Sequence, residues 1–239
     1  MEKLLEIKNL NKNFLLHILN DKKIEALEDI NFELNQGEII GLIGKSGSGK
    51  STLMKCVYRT YLASQGEINY TTSSGEIIDL VSAPDKEVLA LRKNEITYCS
   101  QFLSVIPRVP AVDIVADGLL RRKEHPEAKQ IAKEILYKMG LPESLWDAFP
   151  STFSGGEQQR INVARAIISE PRFLLIDEPT ASLDQKTKDV VIDMVLELKK
   201  RGTSVLVISH DQYTLDKMCD RLVELKNGKI LETAPIEAN

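Results

Sequence analysis

Glu38-Ile39-Ile40-Gly41-Leu42-Ile43-Gly44-Lys45-Ser46-Gly47-Ser48-Gly49-Lys50-Ser51 is the most informative stretch of the chain. After the turn residues Asn35-Gln36-Gly37, the segment Glu38–Ile43 reads as a buried strand. The next eight residues fit G-x-x-x-x-G-K-[ST], a glycine-rich loop that opens a helix from about Ser51. The residue types follow from what a phosphate chain needs. Glycines let successive backbone N–H groups curl inward on phosphate oxygens, and the helix N-terminus adds positive potential. Lys50 reaches the β- and γ-phosphates and the Ser51 hydroxyl ligates Mg²⁺. The expected nucleotide-binding set here is Gly44, Ser46, Gly47, Ser48, Gly49, Lys50, Ser51 and Thr52.

Working outward, Leu5–Leu10 and Ile30–Leu34 alternate with period two, and Ile68–Tyr70 and Glu76–Leu80 flank Thr71–Gly75 as a hairpin. Ile96–Cys99 is another short strand. From Ser104 to Phe153 the pattern turns helical, with Ile131, Ile135, Leu136 and Met139 at helix spacing and a stop at Gly140-Leu141-Pro142. Strand and helix then alternate again. Phe173–Ile176 and Ser204–Ile208 are buried strands around a helix whose apolar stripe is Val190, Val191, Met194, Val195 and Leu198, ending at Arg201-Gly202. This order predicts an α/β fold with a mostly parallel central sheet, an antiparallel β side layer and an inserted helical subdomain. The expected organisation is one domain over residues 1–239, with a core from 1–103 and 154–239 and the helical subdomain from 104–153.

Asp177 and Glu178 follow the strand Phe173–Ile176, at the sheet end where α/β folds bind ligands. Asp177 there can hold Mg²⁺, and Glu178 can orient and deprotonate water. His210 follows the next strand, which places it at the γ-phosphate side, whereas His17 and His125 read as structural. Ser154-Gly155-Gly156-Glu157-Gln158 begins a helix: either a second anion-binding terminus or only a helix start with a flexible entry. Composition narrows the class. A net charge of −4 gives no field for nucleic acid, and Arg121-Arg122-Lys123 reads as a solvated helix end. Three dispersed cysteines fit a reducing, cytoplasmic setting. The N-terminus begins a strand-like alternation and not a signal peptide, and no apolar run approaches the roughly 20 residues that span a bilayer.

With these residues in place the sequence resembles the ABC (ATP-binding cassette) ATPase family of the P-loop NTPase fold. Ser154–Gln158 matches its signature motif, with Phe153 where leucine is usual; Gln101 matches the Q-loop, Ala181-Ser182-Leu183-Asp184 the D-loop, and His210 the switch histidine. The resemblance implies ATP hydrolysis with Mg²⁺ by a pair of cassette chains, identical or related. Each ATP then lies between one chain's P-loop and the other's Ser154, Gly156 and Asp184 region. It implies that Gln101 senses Mg²⁺ and the attacking water, beside Ser51 and Asp177 as metal residues. It gives Lys50, Glu178, His210 and Gln101 as the catalytic set. Phe14 is either the aromatic that stacks on adenine or a strand-end core aromatic.

Narrower segments, Ser100–Arg108, Pro150–Arg160, Asp79–Pro84 and Phe14–His17, resemble the PhnL family of the carbon–phosphorus lyase system. That likeness implies a soluble phosphonate-metabolism complex with carbon–phosphorus lyase subunits as partners. Cassettes of lipoprotein-releasing and macrolide-exporting transporters look similar and give the competing expectation, a transporter's nucleotide-binding subunit. Leu103, Ile106, Pro107 and Arg108 would dock either partner. A scaffold that binds ATP and rarely hydrolyses it is disfavoured by the intact Glu178 and His210.

Overall fold

The computed structural model describes residues 2–16, 22–104, 107–121 and 125–236. His17, Ile106, Arg122 and Lys123, all named above, lie outside them, as does Val105 within the segment Ser100–Arg108. A six-stranded sheet forms the middle layer, built from β3 (Ile39–Ile43), β6 (Ile96–Cys99), β7 (Phe173–Asp177), β8 (Ser204–Ile208), β9 (Arg221–Lys226) and β10 (Lys229–Pro235). Its order is β10-β9-β3-β8-β7-β6, parallel throughout except for β10. The parallel strands are continuous apolar runs because both faces are covered. Along β7, Phe173 and Leu175 point into one core and Leu174 and Ile176 into the other; along β8, Leu206 and Ile208 oppose Val205 and Val207 in the same way.

The first of those cores lies under the side layer, an antiparallel sheet of order β2-β1-β4-β5. Its strands are β1 (Lys3–Leu16), β2 (Lys22–Asn35), β4 (Gln65–Thr71) and β5 (Ile77–Asp79), and the helices α1 (Lys50–Val57) and α2 (Asp85–Asn94) add Leu53, Met54, Val88 and Leu91. The second core lies on the opposite face. It gathers α3 (Ala111–Leu120), α4 (Ala128–Lys138), α5 (Gly155–Ile167), α6 (Gln185–Lys200) and α7 (Gln212–Met218). The predicted stop after α4 is a two-bond cap: Leu141 N donates to Leu136 O (3.0 Å) and Gly140 N to Tyr137 O (2.9 Å). Helix α2 and strands β9 and β10 are elements that the periodicity reading did not identify.

Candidate active site

The glycine loop joins β3 to α1 as expected. Gly49 is the N-cap of α1 at φ 111, and a Cβ there would sit 2.8 Å from the Ala26 carbonyl oxygen, so the loop can close against β2 only with glycine. No side chain caps α1, which leaves its first-turn N–H groups for a ligand. The buried Lys50 ammonium folds back over the loop and donates to Gly44 O (2.6 Å) and Lys45 O (3.1 Å). Burial lowers its pKa, against the opposing pull of Glu178 and Asp177. The Ser48 hydroxyl beside it is buried without a hydrogen-bond partner.

Two parallel strands, β7 and β8, deliver the acids and the histidine beside this loop. Asp177 ends β7, in register with Ile208 of β8, and β8 itself lies between β7 and β3. The Ser51 hydroxyl donates to Asp177 Oδ2 at 3.2 Å across the cleft. Glu178 takes a left-handed φ of 52, with its N–H on Ile208 O (2.8 Å). Its carboxylate turns towards His210, 3.6 Å from Nε2, and accepts a long bond from His210 N (3.4 Å). Glu178 Oε1 has no hydrogen-bond partner although it is buried. Burial raises the pKa of both Asp177 and Glu178, partly offset at Asp177 by the Ser51 bond and at Glu178 by His210. His210 is 61% exposed, so it can swing to meet a ligand.

These groups line one cleft of about 620 Å³, which also takes in Gln101, Ala181 and Ser46–Thr52. Gly44 contributes through its carbonyl to Lys50. Ile24, Glu25, Ala26, Asn227 and Gly228 complete the rim and were not among the expected residues. Asn227 and Gly228, at φ 50 and 77, form the tight turn between β9 and β10, an Asn-Gly signal legible in the sequence. Gly228 N donates to Ser48 O (3.0 Å) and so braces the glycine loop. Phe14 does not line the cleft. Its ring meets Tyr61 edge-on at 5.3 Å under the Lys12 ammonium, and only its cross-strand partner Ile24 reaches the rim.

Ser154, Gly156 and Asp184 lie outside this cleft. Ser154 caps α5 through a full capping box with Glu157, and Asp184 caps α6 by accepting from Thr187 N (2.9 Å). The exposed α5 N-terminus is therefore not part of its own glycine loop's cleft.

The donor set suits a magnesium ion bound together with phosphates. Ser51 Oγ and Asp177 Oδ2 are 3.2 Å apart, close to the roughly 3.0 Å between adjacent ligands of an octahedral Mg²⁺. Among the described residues no cluster of three or more His, Cys, Asp or Glu could hold a metal unaided.

Residues 27–181 match the ABC transporter family. A glutamine transport ATP-binding protein of Geobacillus stearothermophilus is 37% identical over 89% of this chain and 85% of its own length. An oligopeptide transport ATP-binding protein of Bacillus subtilis is 34% identical over 99% of this chain and 77% of its own. Among solved structures, the dimeric post-hydrolysis state of the cassette MJ0796 with ADP and Pi superposes at TM-score 0.88, with 27% identity over 98% of this chain and 99% of that one. These relatives are named for transport, and they lend no support to the expected phosphonate-lyase assignment. The fold, the glycine-loop cleft and these matches together make the chain a member of the ABC transporter family, an ATP-hydrolysing nucleotide-binding subunit.

Proposed function

We propose that this chain is one of two paired cassettes that drive a membrane importer, acting at the cytoplasmic face on amino-acid or peptide solutes. The convergence of Lys50, Asp177, Glu178 and His210 on one cleft, with Ser154 and Gly156 outside it, carries the reading. An α5 N-terminus outside its own cleft is useful if it closes on a second chain's γ-phosphate. The solved dimers of MJ0796 support that pairing. No helix among the described residues is long and apolar enough to cross a membrane. Residues 104–153 act as the helical arm and the rest as the nucleotide-binding core.

In this mechanism the loop N–H groups and Lys50 hold the phosphates while Glu178 orients the water and accepts its proton. His210 meets the γ-phosphate from the β8 end. Mg²⁺, which Ser51, Asp177 and Gln101 would hold, would neutralise phosphate charge. ATP favours the closed pair because both chains touch the γ-phosphate, and hydrolysis removes that difference. The segments Ser100–Arg108 and Pro150–Arg160 favour a second reading, a phosphonate-metabolism complex with carbon–phosphorus lyase subunits. Affinity capture of the tagged chain from detergent-solubilised host cells separates the two. Recovery of an integral membrane permease is expected; recovery with soluble lyase subunits alone would overturn the transport reading.

A further inference from the structure

Helix α5 does more than present its N-terminus. Gly156, Gln159 and Asn162 are spaced three residues apart and form one ridge of the helix. Each member of this ridge meets a backbone carbonyl of a segment at the cleft. A Cβ on Gly156 would sit 2.9 Å from Ser182 O, so backbone meets backbone there. The Gln159 carboxamide, 5% exposed, donates to Glu178 O at 2.9 Å. The Asn162 carboxamide, 6% exposed, donates to Ser100 O at 2.5 Å, immediately before Gln101.

Two of these carbonyls belong to residues in the left-handed region, Glu178 at φ 52 and Ser182 at φ 62. A non-glycine residue in that region is strained and persists only where its surroundings hold it. Glu178 is held on both sides of its Cα, by its N–H on Ile208 O and by Gln159 on its carbonyl. Released from Gln159, the peptide can relax towards ordinary φ and swing the carboxylate off His210.

We infer that Gly156, Gln159 and Asn162 are positioning residues, a ridge that ties the nucleotide-facing end of α5 to the backbone carrying Glu178 and Gln101. Movement of α5 when a partner's ATP seats on its N-terminus is passed to this chain's own hydrolytic groups through two buried carboxamides. The inference rests on the proposed role of Glu178.

Steady-state ATPase kinetics of the full chain test it, using Gln159→Met, which keeps the volume and loses the donor, beside Glu178→Gln. The expected result is a kcat lower by roughly ten- to a hundredfold for Gln159→Met. KM and calorimetric ATP affinity should stay within about twofold, because the phosphate contacts are untouched. Gln159→Met should add no further loss in the Glu178→Gln background. Gln159→Asn keeps a buried carboxamide one methylene short of the carbonyl, and carries the same expectation if the Met variant does not fold. Wild-type kcat in the Gln159 variants beside an inactive Glu178→Gln overturns the inference alone. Wild-type kcat in Glu178→Gln removes the ground for both the inference and the role of Glu178.

Discussion

Replacing Lys50 with Met removes the ammonium that the cleft holds against the glycine loop. That ammonium already has two partners, the carbonyls of Gly44 and Lys45 at 2.6 and 3.1 Å. Binding exchanges these neutral acceptors for phosphate oxygens, so the substitution costs the difference and not the whole of two ionic bonds. Hydrogen bonds to charged groups are worth about 1.5–3 kcal/mol each. Two contacts moving from the lower to the upper end of that range leave about 3 kcal/mol, roughly a hundredfold in Kd. Folding should not suffer, since burial disfavours the charged ammonium and methionine fills the same volume. The assay is titration calorimetry with ATP beside thermal unfolding. A Kd within about twofold of wild type would refute the phosphate-site reasoning. A Tm lower by more than about 4 °C would trace any loss to the fold instead.

The other predictions concern Glu178 and the α5 terminus. Burial raises the Glu178 carboxyl above its ordinary 4.5, so hydrolysis should fall as pH drops through that raised value, and the limb should vanish in Glu178→Gln with its activity. The folded chain binds the extra proton between the ordinary and raised values, so Glu178 stabilises least above that window; Glu178→Gln should raise Tm at neutral pH, with the gain shrinking as pH falls through it. Gly155→Ala should leave Tm unchanged, since its added Cβ meets nothing within 4 Å, whereas Gly156→Ala should cost about 1–3 kcal/mol against Ser182 O, read by urea unfolding of both.

How much of this was legible in sequence depends on how far apart the interacting residues lie. The glycine loop and its flanking strand and helix are contiguous, so a local pattern carried their geometry. Asp177, Glu178 and His210 were readable because strand ends in a parallel sheet share one edge, although the placement of β8 between β7 and β3 is invisible to periodicity. Helix α2 was missed because it is short and polar, with only Val88 and Leu91 buried among its ten residues. Strands β9 and β10 were missed although Asn227-Gly228 marks their turn, and with them went the brace on Ser48. Phe14 stayed open between an adenine-stacking ring and a strand-end core aromatic because Tyr61, which meets its ring, lies 47 positions away. Gln159 and Asn162 are the clearest case. Carboxamides inside a helix are commonly solvated, and nothing within thirteen residues of α5 states that these two are buried against carbonyls 19 and 62 positions away. A signature motif read as a phosphate contact alone therefore understates its helix: the residues that follow the contact residues decide what the rest of the chain feels when that contact is made.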